Sequence, residues 1–298
     1  MDKLKPKILI IILNYCNYTD TKKCVESIKL SDYDNFKVLI VDNDSPNDSI
    51  EQLNDLQSEK IHIISSGRNG GFAYGNNVGI DYAIINNFDY VILLNNDTTV
   101  EKDFLSKMVE TYKKSINKNF VLTCRIMYGN EPDKVWYAGG LIDWENLRAT
   151  HIEINKKFNL KSLKIENVQF ASGCCMMIPI NIINKIGKLP EEYFMYYEDL
   201  DYCVHLQELG YEIRYNPDIV IYHFVSSSSG GNNSPFVIEW SNRARRVFYK
   251  KYYFHIKKNK RFFIFLKCEC KSILKIILSK HKFASIKAYL KSFKRVRN

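Results

Sequence analysis

The stretch IHIISSGRNGGFAYGNNVGIDYAIINNFDYVILLNND (Ile61–Asp97) contains one whole repeating unit of the fold. IHII is an apolar run of strand length. GRNGGFAYGNN (Gly67–Asn77) is a turn rich in glycine and asparagine. Gly71 to Asn87 has helical length, and YVILLN (Tyr90–Asn95) is again a buried strand. The same alternation extends upstream. KILIIIL (7–13) and FKVLIVDN (36–43) read as strands, residues 20–29 and SPNDSIEQLNDLQ (45–57) as helices, and VEKDFLSKMVETYKKS (100–115) as the helix that follows. Strands alternating with helices at this spacing predict an α/β fold with an open, parallel, doubly wound sheet. Ligands of such sheets lie beyond the carboxyl ends of the strands. Four polar strand ends are thereby singled out: Asn14-Tyr15, Asp42-Asn43-Asp44, Gly67–Gly71 and Asn95-Asn96-Asp97.

Beyond residue 120 the pattern becomes irregular and more β-like, in FVLTCRIMY, KVWYAGG and VQFASGCCMMI. A helix, EDLDYCVHLQEL, precedes two strands, YEIRYN and IVIYHF. The polar run SSSSGGNNSP (226–235) marks a boundary. It divides the chain into a domain over 1–235 and a basic helical extension over 236–298.

The net charge of +10 is unevenly distributed. From Arg243 onward there are 19 Lys/Arg and one acid, Glu269, a tail of +18. Residues 1–242 hold 24 Lys/Arg and 32 Asp/Glu, a body of −8. No export signal is visible, and no run approaches the roughly 20 apolar residues that span a bilayer. The expectation is a cytoplasmic protein whose eight cysteines are reduced thiols, since none has zinc-ribbon spacing.

The glycine turn is neither a Walker A loop nor a dinucleotide fingerprint, because Gly70, Gly71 and Gly75 miss both spacings. It reads as a plain turn or as one wall of a ligand cleft. In the second case its glycines admit close backbone approach, and Asn69, Asn76 and Asn77 offer amides to ribose, diphosphate or sugar hydroxyls. In LLNNDTTV (93–100), Asp97 at a strand end suits a hard cation, or else caps the next helix. In YFMYYEDLDYC (193–203), Glu198, Asp199 and Asp201 crowd a helix start amid aromatics. A carboxylate there gains from the helix dipole and suits a general base, or simply caps. His223 ends an apolar run. It is structural unless it lies near Asp97, where imidazole would complete a metal shell. Trp136 and Gly140 line an acceptor side or pack the core.

Taken in order, VDNDS, RNGGFAYGNN, LLNND, FASGCCMMI, FMYYEDLDYC and VIYHF resemble family 2 of the glycosyltransferases, with the GT-A fold, over about residues 6–226. The rhamnosyltransferase-like and galactofuranosyltransferase-like members are the most similar. The resemblance implies an inverting transfer of a sugar from a nucleotide diphosphate donor to an acceptor hydroxyl. It implies donor contacts from Asn14, Tyr15, Asp42, Asn43, Asn69, Gly71, Phe72, Asn76, Asn77, Asn95 and Asn96. It implies Mg²⁺ or Mn²⁺ held by Asp97 and His223, and Asp199 as catalytic base. Trp136, Gly140, Gly173 and Glu198 fall on the acceptor side. The family's metal motif has an acid where this chain has Asn95, leaving Asp97 as its main carboxylate. The resemblance leans toward rhamnose from a dTDP donor and toward cell-surface polysaccharide.

The tail, KKNKRFFIFLKCECKSILKIILSKHKFASIKAYLKSFKRVRN (257–298), interleaves Lys/Arg with Phe, Ile and Leu. Such segments suit an anionic membrane surface, here the inner face of the cell membrane and a lipid-linked glycan acceptor. The tail could equally pack on the acidic body; nucleic acid is not expected as its partner. Two rival functions stay open. A nucleotidyltransferase would want a basic first loop, which NYCNYTD lacks, and a non-catalytic sugar- or nucleic-acid-binding protein is compatible with Asn95.

Overall fold

Runs of Ile, Leu and Val without polar interruption make strands buried on both faces. In the computed structural model, which describes residues 5–159, 164–225, 234–279 and 281–294, four such runs form a parallel array. These are β1 (Ile8–Asn14), β2 (Phe36–Asp42), β3 (Ile61–Ser65) and β4 (Tyr90–Asn95), ordered β4-β1-β2-β3. Ile8 to Ile12 are wholly buried. The crossovers are α1 (Tyr18–Lys29), α2 (Ser49–Leu53) with a short 3₁₀ turn, and α3 (Gly71–Ile85). Helix α1 turns Cys24, Val25 and Ile28 inward. Helix α3 lies close against β1 because Gly75 and Gly79 have no side chain. A Cβ at Gly75 would come within 2.2 Å of Leu13, and one at Gly79 within 2.7 Å of Ile11.

The other half of the sheet is mixed. The strand after α4 (Phe104–Lys114) is β6 (Phe120–Tyr128); it is followed by β7 (Glu131–Tyr137), β8 (Gly140–Asp143), β9 (Arg148–His151), β10 (Glu166–Val168), β11 (Cys175–Pro179) and β12 (Glu212–His223). Strand β11 starts at the polar end of β4 and runs back beside it, so the pair is antiparallel. Strand β6 is antiparallel to β11, β12 is parallel to β6, and β10 is antiparallel to β12. The purely parallel sheet read from the alternation therefore holds for four strands, and the connections beyond β4 reverse direction.

Two local expectations also change. Thr98–Val100 form a strand, β5, instead of opening a helix, and pair antiparallel with Ile221–His223. YEIRYN and IVIYHF are one strand, β12, whose ladder with β6 breaks between Asn216 and Val220. Pro217, which has no N–H to donate, sits in that break.

The run 226–235 lies, up to residue 233, outside the described residues, as do 280 and 295–298 of the basic tail. From Ser234, which caps it, α7 (Pro235–Tyr252) packs onto the body. Its Ala244, Phe248 and Tyr252 belong to the main core. Helices α8 (Arg261–Ile277) and α9 (Lys282–Lys291) follow. Glu269, the tail's one acid, binds Arg246, Tyr289 and Arg245 at 2.5–2.9 Å. Burial would raise its carboxyl, but those three partners hold it below the usual range. The outer faces of α8 and α9 leave Phe262, Phe263, Leu278, Phe283 and Leu290 mostly exposed. No described helix is long and apolar enough to cross a membrane.

Candidate active site

The carboxyl ends of β1 and β2 are tied to each other. Asn14 and Asp42 are register partners with no exposed surface, and Asn14 Nδ2 donates to Asp42 Oδ1 at 2.7 Å. Asp42 also accepts from Ser45 Oγ at 2.7 Å and Ser45 N at 2.9 Å. Thr21 Oγ1 donates to Asn14 Oδ1 at 2.8 Å, and Asn96 Nδ2 donates to Thr21 Oγ1 at 3.0 Å, which links the end of β4 to the same network. Tyr15 stands 47% exposed at the rim. Ser45 and Thr21, which hold this network, were not singled out by the sequence reading; nothing but their proximity to strand ends could have marked them.

The glycine turn is clasped, not free. Asn43 Nδ2 donates to Asn69 Oδ1 and Gly71 O at 3.0 and 3.2 Å. Gly71 has φ +86, and a Cβ there would lie 1.9 Å from Phe194 O. Phe72 N donates to that same oxygen at 2.9 Å. Asn76 and Asn77 are buried and turned into the protein. Asn76 Nδ2 donates to Phe72 O, and Asn77 exchanges hydrogen bonds with both backbone groups of Leu189. Their amides anchor α3, so the geometry does not aim them at a sugar.

At the end of β4, Asn95 N donates to Cys174 O at 3.0 Å. Asp97 Oδ1 lies 3.1 Å from His223 Nε2, both side chains nearly buried. The β5–β12 pairing brings them together by setting Thr98 opposite His223. His223 Nδ1 is buried without a hydrogen-bond partner among the described residues. Trp136 meets His223 and His151 edge-on, with ring centroids 4.6 and 4.5 Å apart. Burial holds the His151 imidazole below its ordinary value. Gly140 pairs with that same His151 in the β8–β9 ribbon, and a Cβ there would strike Phe170 at 2.6 Å.

The acidic helix is α6 (Glu198–Glu208). Tyr196 and Tyr197 precede it, both at φ 71. Two successive left-handed residues other than glycine cost roughly 1–3 kcal/mol each and persist where surroundings enforce them. Tyr197 OH donates to Leu147 O at 2.5 Å. The turn delivers Asp199 to Gly173: Gly173 N donates to Asp199 Oδ2 at 3.0 Å and Leu200 N to Oδ1 at 2.8 Å. Gly173 is itself held between Phe72 and Asp199, at 3.0 and 3.6 Å from where its Cβ would be. Burial raises the Asp199 carboxyl, and the Gly173 and Leu200 amides oppose that rise. Burial raises Glu198 well above the carboxylate range, and the Asp199 charge raises it further. Glu198 Oε2 is buried without a hydrogen-bond partner among the described residues. Both carboxyls are thus raised by burial, and only Asp199 has backbone N–H groups of Gly173 and Leu200 that oppose the rise.

Asp201 faces away from this pair. It accepts from Tyr193 OH at 2.8 Å, Tyr252 OH at 2.9 Å and Lys251 Nζ at 2.9 Å. Phe194 stacks on Trp240 with centroids 4.2 Å apart. The wall carrying Asp199 is thus backed by α7, a contact between distant parts of the chain that no local pattern marks.

Residues 8–187 match the family model described as glycosyl transferase family 2. The chain is 32% identical over 197 residues to the low-salt glycan biosynthesis hexosyltransferase Agl10 of Haloferax volcanii; the match covers 65% of this chain and 59% of that protein. Among solved structures, GalNAc-T7 with UDP, GalNAc and Mn²⁺ superposes with a TM-score of 0.66 at 13% identity, covering 83% of this chain and 48% of that one. The mannosyltransferase PcManGT of Pyrobaculum calidifontis, with GDP-Man and Mn²⁺, gives 0.60 at 12% identity, covering 96% and 74%. These two likenesses establish the GT-A fold. Asp199 and His223 lie beyond the residues matched by the family model.

Proposed function

The chain belongs to glycosyl transferase family 2, and on that premise we propose that it transfers a hexose from a nucleoside diphosphate donor to an acceptor hydroxyl, with inversion. One observation carries the reading: Asp199 is fixed by two backbone N–H groups, those of Gly173 and Leu200, beside Glu198, whose carboxyl is raised by burial and by the Asp199 charge. In a single displacement the acceptor oxygen forms its bond to the anomeric carbon as the bond to the diphosphate breaks. The diphosphate leaves with that electron pair, and the acceptor's proton passes to Asp199. Protonated Glu198 donates a hydrogen bond that orients the acceptor, with Trp136 on the same side. Asn14, Asp42, Asn43 and the clasped turn hold the donor, with Tyr15 at its rim.

The residues present fit a divalent cation. Asp97 and His223 Nε2 offer a carboxylate and an imidazole at one point, and the ring's other nitrogen, Nδ1, has no hydrogen-bond partner among the described residues. The described residues contain no group of three or more such ligands, so other positions fall to donor oxygens and water. When bound, Mg²⁺ or Mn²⁺ would neutralise charge on the departing diphosphate.

The same reading takes residues 1–235 as the transferase domain and 236–298 as its extension. Rhamnose from dTDP-rhamnose is the donor to try first, and a lipid-linked glycan of the cell surface the acceptor. The exposed apolar faces of α8 and α9, interleaved with lysines, rest on the anionic cytoplasmic face of a membrane. Asp199→Asn tests the core of the proposal. Donor affinity by calorimetry should stay unchanged while release of nucleoside diphosphate upon transfer falls roughly 10²- to 10⁴-fold. Wild-type turnover would remove Asp199 as base, and release of pyrophosphate instead would mean nucleotidyl transfer.

A further inference from the structure

The extension contains an open cavity of about 720 Å³ that none of the roles above uses. Its floor is α7, and its other walls come from α8 and from the residues after α9. Five cations line it, Arg243, Arg246, Lys250, Lys251 and Lys294, against one carboxylate, Glu192.

The cations are of two kinds. The arginines are structural: Arg246 binds Glu269 and Ser292 at 2.6 Å, and Arg243 binds Glu239 at 3.0 Å. Lys251 is shared between Asp201 and Glu192. Lys250 and Lys294 have no carboxylate partner among the described residues, so they add charge that the protein leaves uncompensated. Flexible ammonium groups over a rigid guanidinium floor suit an anion with several oxygens.

The walls are apolar. Phe265 and Phe293 flank the cavity, and Phe293 covers the Arg246 guanidinium at 3.6 Å. Elsewhere on α8 and on α9, Phe262, Phe263 and Phe283 stand 68–91% exposed. An exposed apolar surface of this kind is seldom left to water. A charged floor between the apolar side chains of Phe265 and Phe293 fits an amphiphile and not a freely soluble anion.

We propose that this cavity binds the phosphate group of a lipid, a second recognition point for a phosphate-bearing lipid acceptor. The inference rests on the reading of the extension as a membrane surface. It adds a consequence: Lys251 lines the cavity and also holds Asp201 on α6, so an occupied cavity is one side chain from the helix that carries Asp199.

The test uses the full chain and its Lys250→Gln/Lys294→Gln variant, both exposed positions away from the transfer machinery. Three vesicles are compared: phosphatidylcholine alone, and phosphatidylcholine with phosphatidylglycerol or with phosphatidic acid at matched surface charge. Wild type should bind phosphatidic acid several-fold more tightly than phosphatidylglycerol, and inorganic pyrophosphate should erase the preference. The variant should lose the preference, with affinity for phosphatidic acid falling roughly fivefold per lysine, yet keep binding phosphatidylglycerol. Equal binding of the two anionic vesicles by wild type, or a preference that survives in the variant, overturns the proposal. Stabilisation by pyrophosphate without any gain from phosphatidic acid vesicles would assign the cavity to soluble phosphate and overturn the lipid assignment. Binding to neither anionic vesicle, with transfer to a water-soluble acceptor intact, refutes the membrane reading and leaves the transferase reading standing.

Discussion

Asp42 and Asp201 are both buried, with 0% and 1% exposure, and both accept three hydrogen-bond donors. Their partners differ in origin. Those of Asp42, Asn14 and Ser45, lie on the adjoining strand and in its own turn. Two of those of Asp201, Lys251 and Tyr252, arrive from α7, about fifty residues later. The end of the cleft proposed for the donor is therefore organised by the sheet itself, whereas the wall bearing Asp199, the proposed base, depends on a helix outside the sheet. One half is preorganised by topology; the other is only as firm as the packing of the extension.

The comparison is broken most severely where the halves touch. Gly71→Ala would force a left-handed conformation on a residue with a Cβ and drive that atom into Phe194 O. A destabilisation of about 3 kcal/mol is expected in urea unfolding, with donor affinity and turnover falling together. A smaller loss would mean that the two walls separate easily. Asp201→Asn should separate the halves. It removes the charge that Tyr193, Tyr252 and Lys251 share, for about 2 kcal/mol, with the share of the 40% exposed Lys251 discounted for solvent. Turnover should drop while donor affinity holds; an equal loss of both would deny the division. The smallest effect concerns Glu198. Its folded-state carboxyl is raised by burial and by Asp199, so its contribution to stability is full at acid pH and is lost as pH rises through the raised value. Glu198→Gln should flatten that decline and leave the melting temperature a few degrees above wild type at pH 8 but not at pH 5. Parallel curves for the two proteins would place Glu198 in contact with solvent.

How much of this was legible follows the same division. The strands and helices between Ile8 and Asn95 are written in local pattern, because burial on both faces demands unbroken apolar runs. The strand ends were legible for the same reason. The glycines were half legible. Gly71 answers to a positive φ and a close approach, but Gly75 and Gly79 serve the contact of α3 with β1. Asn76 and Asn77, which looked like ligand amides, satisfy buried backbone. The pairing of Thr98 with His223 and the clasp of Asp201 by α7 join residues more than forty apart, and periodicity carries no information about such contacts.

The break in β12 deserves to be counted in residues. Asn216 lies opposite Cys124, yet Val220 lies opposite Arg125. An unbroken ladder would put Val220 beside Tyr128, where His223 now lies, and would carry the histidine three positions onward, roughly 10 Å at strand rise. The meeting of His223 with Asp97 is thus set by the number of residues in the detour more than by their identity. Exchanges at Asp218 or Ile219 preserve that count. A single deletion there would misalign the histidine while altering neither partner.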